Sequence, residues 1–185
     1  MKFISVNKVI LAAFVLWHVY YSYERQIPDC QQIADKLTEK TARQLQEQKN
    51  LSSEWPGGLF LVGKGGRRTN DIQAMHMNFG FSELVDLKAA RELIVCSISE
   101  YLKNINTSKE IKPYLKEYPF TAKNVEMDIQ IRKPGGSRIP LNEIHHISAI
   151  DGILTYYLDF PETCSRQNFF KETYEEALQS ISSNQ

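Results

Sequence analysis

The spacing of hydrophobic and polar positions changes along this chain, and each change predicts a different element. The first stretch has no polar face: the fifteen residues from Val9 to Tyr23 are uncharged, and Lys2, Lys8 and the terminal amine precede them. Counted from Phe3 the run is twenty-one residues long, enough to span a hydrocarbon core if Lys8 extends its amine to the surface. It closes on Tyr20, Tyr21, Ser22 and Tyr23, rings that suit a membrane interface and are too bulky for a signal-peptidase site. Residues 1–25 are therefore predicted to be a transmembrane signal-anchor that contacts the membrane through residues 3–23, with secretion after cleavage as the alternative. The cations collect on the N-terminal side, so the positive-inside rule puts the remainder outside the cytoplasm, in the periplasm if the cell is bacterial.

A narrow helical stripe follows, with Cys30, Ala34, Leu37, Thr41 and Leu45 on one side of a Gln-, Lys- and Glu-rich segment. Asp29 is placed to cap it, with Gln32 as capping-box partner. Residues 26–58 read as a helical stalk or a lid, ending in the linker "NLSSEWPGG".

From Leu59 onward the period becomes two. Leu59 to Val62 is a short strand, "IQAMHMNFGF" sends Met75, Met77, Phe79 and Phe81 to one side, and "NVEMDIQIR" alternates Val125, Met127, Ile129 and Ile131 with polar residues. Asp151-Gly152 is a two-residue hairpin signal. It pairs Ile150 with Ile153, Ser148 with Thr155 and His146 with Tyr157. The opposite side, Ala149 with Leu154, Ile147 with Tyr156 and His145 with Leu158, is assigned to the core. Helical spacing returns twice: near Asp86, with Leu87, Ala90, Ile94, Ile98, Tyr101, Leu102 and Ile105 on one face, and at the C-terminus, with Phe169, Phe170, Thr173, Tyr174, Ala177, Leu178 and Ile181. Residues 59–185 are thus expected to form a two-layer α+β domain: a mainly antiparallel sheet of about five strands, with helices packed on one face.

Composition narrows the chemistry. Lys and Arg total 22, and Asp and Glu total 22, so no global field favours a polyanion, and neither nucleic acid nor nucleotide is an expected partner. The basic glycine segment "GKGGRRT" lacks the order of a phosphate-binding loop, since its lysine precedes the glycines and a strand follows. It reads as the turn joining the first two strands. Lys64, Arg67 and Arg68, with Arg132, Lys133 and Arg138 of a second basic glycine segment, are the candidate binding residues for a polyanion or a partner surface. Three cysteines leave at least one thiol unbridged, and Cys30 with Cys164 is the disulfide candidate, because Cys96 falls inside a helix.

No cofactor is expected and no metal-ligand spacing is present. Adjacent strand residues point to opposite faces, so His145 and His146 are not expected to share an ion. The wet face of the sheet nevertheless gathers His76, Asp128, His146 and Asp159, nitrogen and oxygen donors suited to acid–base or metal-dependent hydrolysis. Against that stands the ordinary polarity of any solvated sheet face, and the preferred expectation is a binding or envelope-associated module with a protein or cell-surface partner.

Overall fold

The protein is described by a computed structural model that covers residues 30–47, 59–133, 139–140, 142–159 and 166–183, without the side chains of residues 159 and 166–168. Among these residues six strands form one sheet in sequential order: β1 (Leu59–Arg68), β2 (Ile72–Phe81), β3 (Val125–Ile131), β4 (Ile144–Ile150), β5 (Ile153–Asp159) and β6 (Arg166–Thr173). Helices α1 (Cys30–Glu47), α2 (Leu87–Thr107) and α3 (Tyr174–Ser182) complete an α+β fold. The segment 3–23, expected to cross a membrane, lies outside the described residues. Among those described, no helix is long and apolar enough to cross one.

The sheet is mixed. All neighbours pair antiparallel except β2 and β3, which are parallel, with α2 in the connection between them. A parallel pair requires a crossover long enough to carry the chain back to its starting end, and a 21-residue helix supplies it. Asp86 caps that helix by accepting from the Ala89 N–H at 2.7 Å, where the sequence placed its start. Leu93, Ile94, Ile98, Tyr101 and Ile105 of α2 are all but sealed from solvent and meet Met75, Met77, Phe79, Met127, Ile129 and Ile147 of the sheet in one core.

The stripe of α1 is wider than its spacing predicts. Ile33, Thr38 and Ala42 are buried beside Ala34, Thr41 and Leu45, because the helix rests on both α2 and β1. Thr38 tolerates this burial through its hydroxyl, which donates to the Ala34 carbonyl at 2.8 Å and meets the Tyr101 hydroxyl at 2.6 Å. With the Thr38 proton committed to its own helix, Tyr101 is the donor across the interface. Asn104 adds bonds to Thr41 and Gln44 at 3.0 and 2.7 Å. Residues 30–47 therefore pack directly against the α2 helix and the first strands.

Two expectations are corrected at the sheet edges. "GKGGRR" is not a turn: β1 continues through it, with Gly65 opposite His76 and Gly66 opposite Met75, and the reversal falls at Thr69–Asp71. Gly66 serves close approach instead, since a Cβ there would run into the Ala74 carbonyl oxygen. At the other edge Phe169, Phe170 and Thr173 belong to the sixth strand and not to the last helix. Pairing with β5 outweighs their helical spacing. The helix begins one residue later, where Thr173 accepts from the Glu176 N–H and Glu176 bonds back to Thr173.

The Asp151-Gly152 hairpin forms as expected, with φ of 50° and 80° at its two central residues, the signature of a type I′ turn. Its register holds from Ile150↔Ile153 to His146↔Tyr157 and then slips, pairing Ile144 with Leu158 and leaving His145 in a bulge.

If α1 is an integral part of this core, Leu45→Ala will lower unfolding free energy by about 3 kcal/mol in a denaturant titration. A change within about 0.5 kcal/mol would mean that the helix stands free of the domain.

Candidate functional site

Strand alternation and pairing together lay out the face that the helices do not cover. One cross-strand row runs through all six strands: Gly63, Asn78, Asp128, Ser148, Thr155 and Lys171. A neighbouring row runs Phe60, Gly80, Gln130, His146, Tyr157 and Asn168. The Phe60 ring lies where a Cβ on Gly80 would be, and the Arg132 guanidinium stands 5.8 Å from the centre of that ring.

Asp128 is the centre of the face. His76 sits opposite Glu126 and His146 opposite Gln130, so the imidazoles flank Asp128 diagonally, from opposite ends of the strand. His76 Nε2 lies 3.1 Å from Oδ2, and His146 Nε2 lies 2.8 Å from Oδ1. Both carboxylate oxygens are engaged, and these two bonds hold the Asp128 carboxyl far below the usual carboxylate range, against the opposing effect of its partial burial. The His146 ring stacks on Tyr157 with centroids 5.0 Å apart. Ser148 Oγ in turn lies 3.5 Å from the Tyr157 hydroxyl. Side-chain exposures of 26% for His76, 28% for Asp128 and 14% for His146 describe a surface array that still meets solvent.

Three of the four expected wet-face residues thus converge. Asp159 ends β5 opposite Arg166, and its side chain is outside the described set. The expectation that His145 and His146 diverge is corrected by the bulge, which brings their ring centroids to 6.4 Å. Among the described residues no group of three or more His, Cys, Asp or Glu side chains is arranged to hold a metal ion.

The candidate basic residues are drawn into the fold. Lys64 reaches α1, at 3.2 Å from Asp35 and 2.5 Å from Glu39. Arg67 bridges Glu126 at 2.7 Å and Asp151 at 2.8 Å across the open face. Arg68 donates to the Cys30 sulfur at 3.0 Å. Arg132 donates to the Gln130 side chain at 2.9 Å, Lys133 is half-buried, and Arg138 lies outside the described residues. Cys30 and Cys96 are free thiols, while Cys164 falls outside the described residues, so the Cys30–Cys164 pairing is not reached. Burial pushes the Cys96 thiol up, which removes nucleophilic character at neutral pH.

Sequence reasoning missed the lock between Arg67, Glu126 and Asp151 and the place of Ser148 beside Tyr157. The first was hidden by ending β1 too early. A strand carried through to Arg68 puts Arg67 on the same face as His76, two positions from Gly65. Compared with known proteins, the chain matches no family model, no curated protein and no solved structure.

The depressed Asp128 carboxyl gives stability a pH dependence of definite sign. Its folded-state value lies below the unfolded one, so its contribution is complete above about pH 5 and is lost as pH falls through and below about 4. In acid titrations Asp128→Asn will flatten the stability curve over that window, and a variant curve parallel to the wild type would show that the two histidine bonds do not form.

Proposed function

We propose that the protein is a membrane-anchored binding module that meets a protein or cell-surface partner through the open face of its sheet. The observation that carries this reading is the face itself. Helices cover one side of a six-stranded sheet, and the other side bears interlocked, partly exposed groups held in fixed positions by Asp128, Arg67 and the Tyr157 stack. Rigid polar groups beside exposed apolar ones, here Ile150 at 52% and Ile153 at 40%, are what a recognition surface needs, because little side-chain entropy remains to be lost on binding. The anchor is supported by the uncharged run within residues 3–23 and the lysines before it, and the domain would then face outward, into the periplasm of a bacterial cell.

The convergence of His76, Asp128 and His146 favours a second reading, acid–base hydrolysis. An Asp-backed imidazole is a competent general base. Two features weigh against it. Both Asp128 oxygens are committed to imidazoles, and the hydroxyl of Ser148, its cross-strand partner, lies against Tyr157.

Photo-crosslinking from Ile150 and Tyr157 in intact cells will capture a discrete partner, while the same probe at Lys103 on the helical side will not. Equal capture from both sides, or none from the open face, would remove the binding reading. Full-length protein will resist alkaline extraction from membranes, and deletion of residues 1–25 will release it. Ready extraction of the intact chain would rule out the anchor.

A further inference from the structure

We propose that the cleft between α1 and the C-terminal end of α2 binds an anionic amphiphile, with a phosphate group between Lys36, Lys40 and Lys109 and an apolar portion on Ile33 and Leu37. The cleft has a volume of about 450 Å³ and lies on the helical side of the molecule, away from the open sheet face. Its lining divides by chemistry: Ile33 and Leu37 are apolar, three lysines surround them, and Asn104, Thr107 and Ser108 supply polar groups.

The charge balance of the cleft is what points to an anion. Four cations near or beyond the cleft are taken up by ion pairs: Lys64 with Asp35 and Glu39, Arg67 with Glu126 and Asp151, Arg91 with Glu172, Lys103 with Glu100. Lys36, Lys40 and Lys109 have no ion-pair partner among the described residues. The nearest acids in sequence to the first two, Asp35 and Glu39, are turned to Lys64 on β1. Glu110 is the single carboxylate among the lining residues, set against three ammonium groups.

The hydrogen-bonding state of the polar groups narrows the site further. Asn104 spends its amide on Thr41 and Gln44, and Thr107 donates to the Lys103 carbonyl at 2.7 Å. Ser108 Oγ accepts from the Ile111 N–H at 3.5 Å, which leaves its own proton for a ligand oxygen. Three ammonium groups and one hydroxyl suit a multiply accepting, multiply charged group such as phosphate. The apolar pair beside them suits a ligand whose anion is attached to a hydrocarbon body.

No residue of the open face takes part, so this site stands or falls apart from the binding reading. Only the choice of a lipid over free phosphate as the source leans on the anchor, since six residues, 24–29, separate the apolar run from the start of α1. That spacing keeps the lysines within reach of the headgroup layer.

The experiment is isothermal titration of the full chain in a neutral maltoside detergent with dihexanoyl phosphatidylglycerol, dihexanoyl phosphatidylcholine and inorganic phosphate. The expected result is saturable binding of phosphatidylglycerol, weaker binding of phosphate and none of phosphatidylcholine. The Lys36→Gln/Lys40→Gln pair and, separately, Lys109→Gln will each weaken phosphatidylglycerol roughly tenfold with unchanged thermal unfolding. Equal binding of both lipids would overturn the anion site, as would variants that bind like the wild type. Phosphate binding as tightly as phosphatidylglycerol would overturn the apolar half of the proposal.

Discussion

Burial of α2 against one face of the sheet is the interaction on which the rest of the structure depends. Its apolar stripe, from Ala90 to Ile105, is sealed against β3 and β4 and against α1. Because the helix lies in the connection between β2 and β3, covering the sheet with it returns the chain parallel to β2. That single parallel pairing puts His76 on the strand beside Asp128. Had the chain turned back directly, the two strands would pair antiparallel, in a different register.

The same packing explains why polar side chains gather on the other face. Alternation along β3 sends Met127 and Ile129 into the core and leaves Glu126, Asp128 and Gln130 outside, with neighbours chosen by register. Asp128 then resolves two needs at once. Its carboxylate loses part of its hydration and regains acceptor bonds from two imidazoles, which hold it in place. The part-buried pair of Arg91 and Glu172 does similar work on the helical side, where Tyr156 also donates to Glu172 at 2.8 Å and fastens the last strand to the core. Removing Arg91 would leave the Glu172 carboxylate buried without its counter-charge.

Local signals in the sequence were legible wherever a few consecutive residues decide the outcome. Alternation identified β2, β3 and the β4–β5 hairpin, and Asp86 marked the start of α2. The failures share one cause. Glycines 63, 65 and 66 look like a turn because isolated glycine-rich chain bends readily, yet pairing with β2 straightens them, and at Gly66 the missing side chain admits the Ala74 carbonyl. Phe169 and Phe170 have helical spacing to Thr173 and Ala177, but the open edge of β5 offers hydrogen bonds that a helix cannot take up. The bulge at His145 likewise breaks a parity argument that is sound only in a regular strand.

The sequence by itself determined which segments are strands and helices in the interior of the domain, the hairpin register near Asp151-Gly152, and the set of polar residues available on the wet face. These follow from periodicity and from turn chemistry, which act over a handful of residues. Only the tertiary structure decided that β2 lies beside β3, that β1 and β6 extend the sheet at its edges, and that Lys64 and Arg67 are consumed by ion pairs while Lys36, Lys40 and Lys109 are left without one. Those outcomes depend on which surfaces cover which, a competition among distant parts of the chain that no local pattern records.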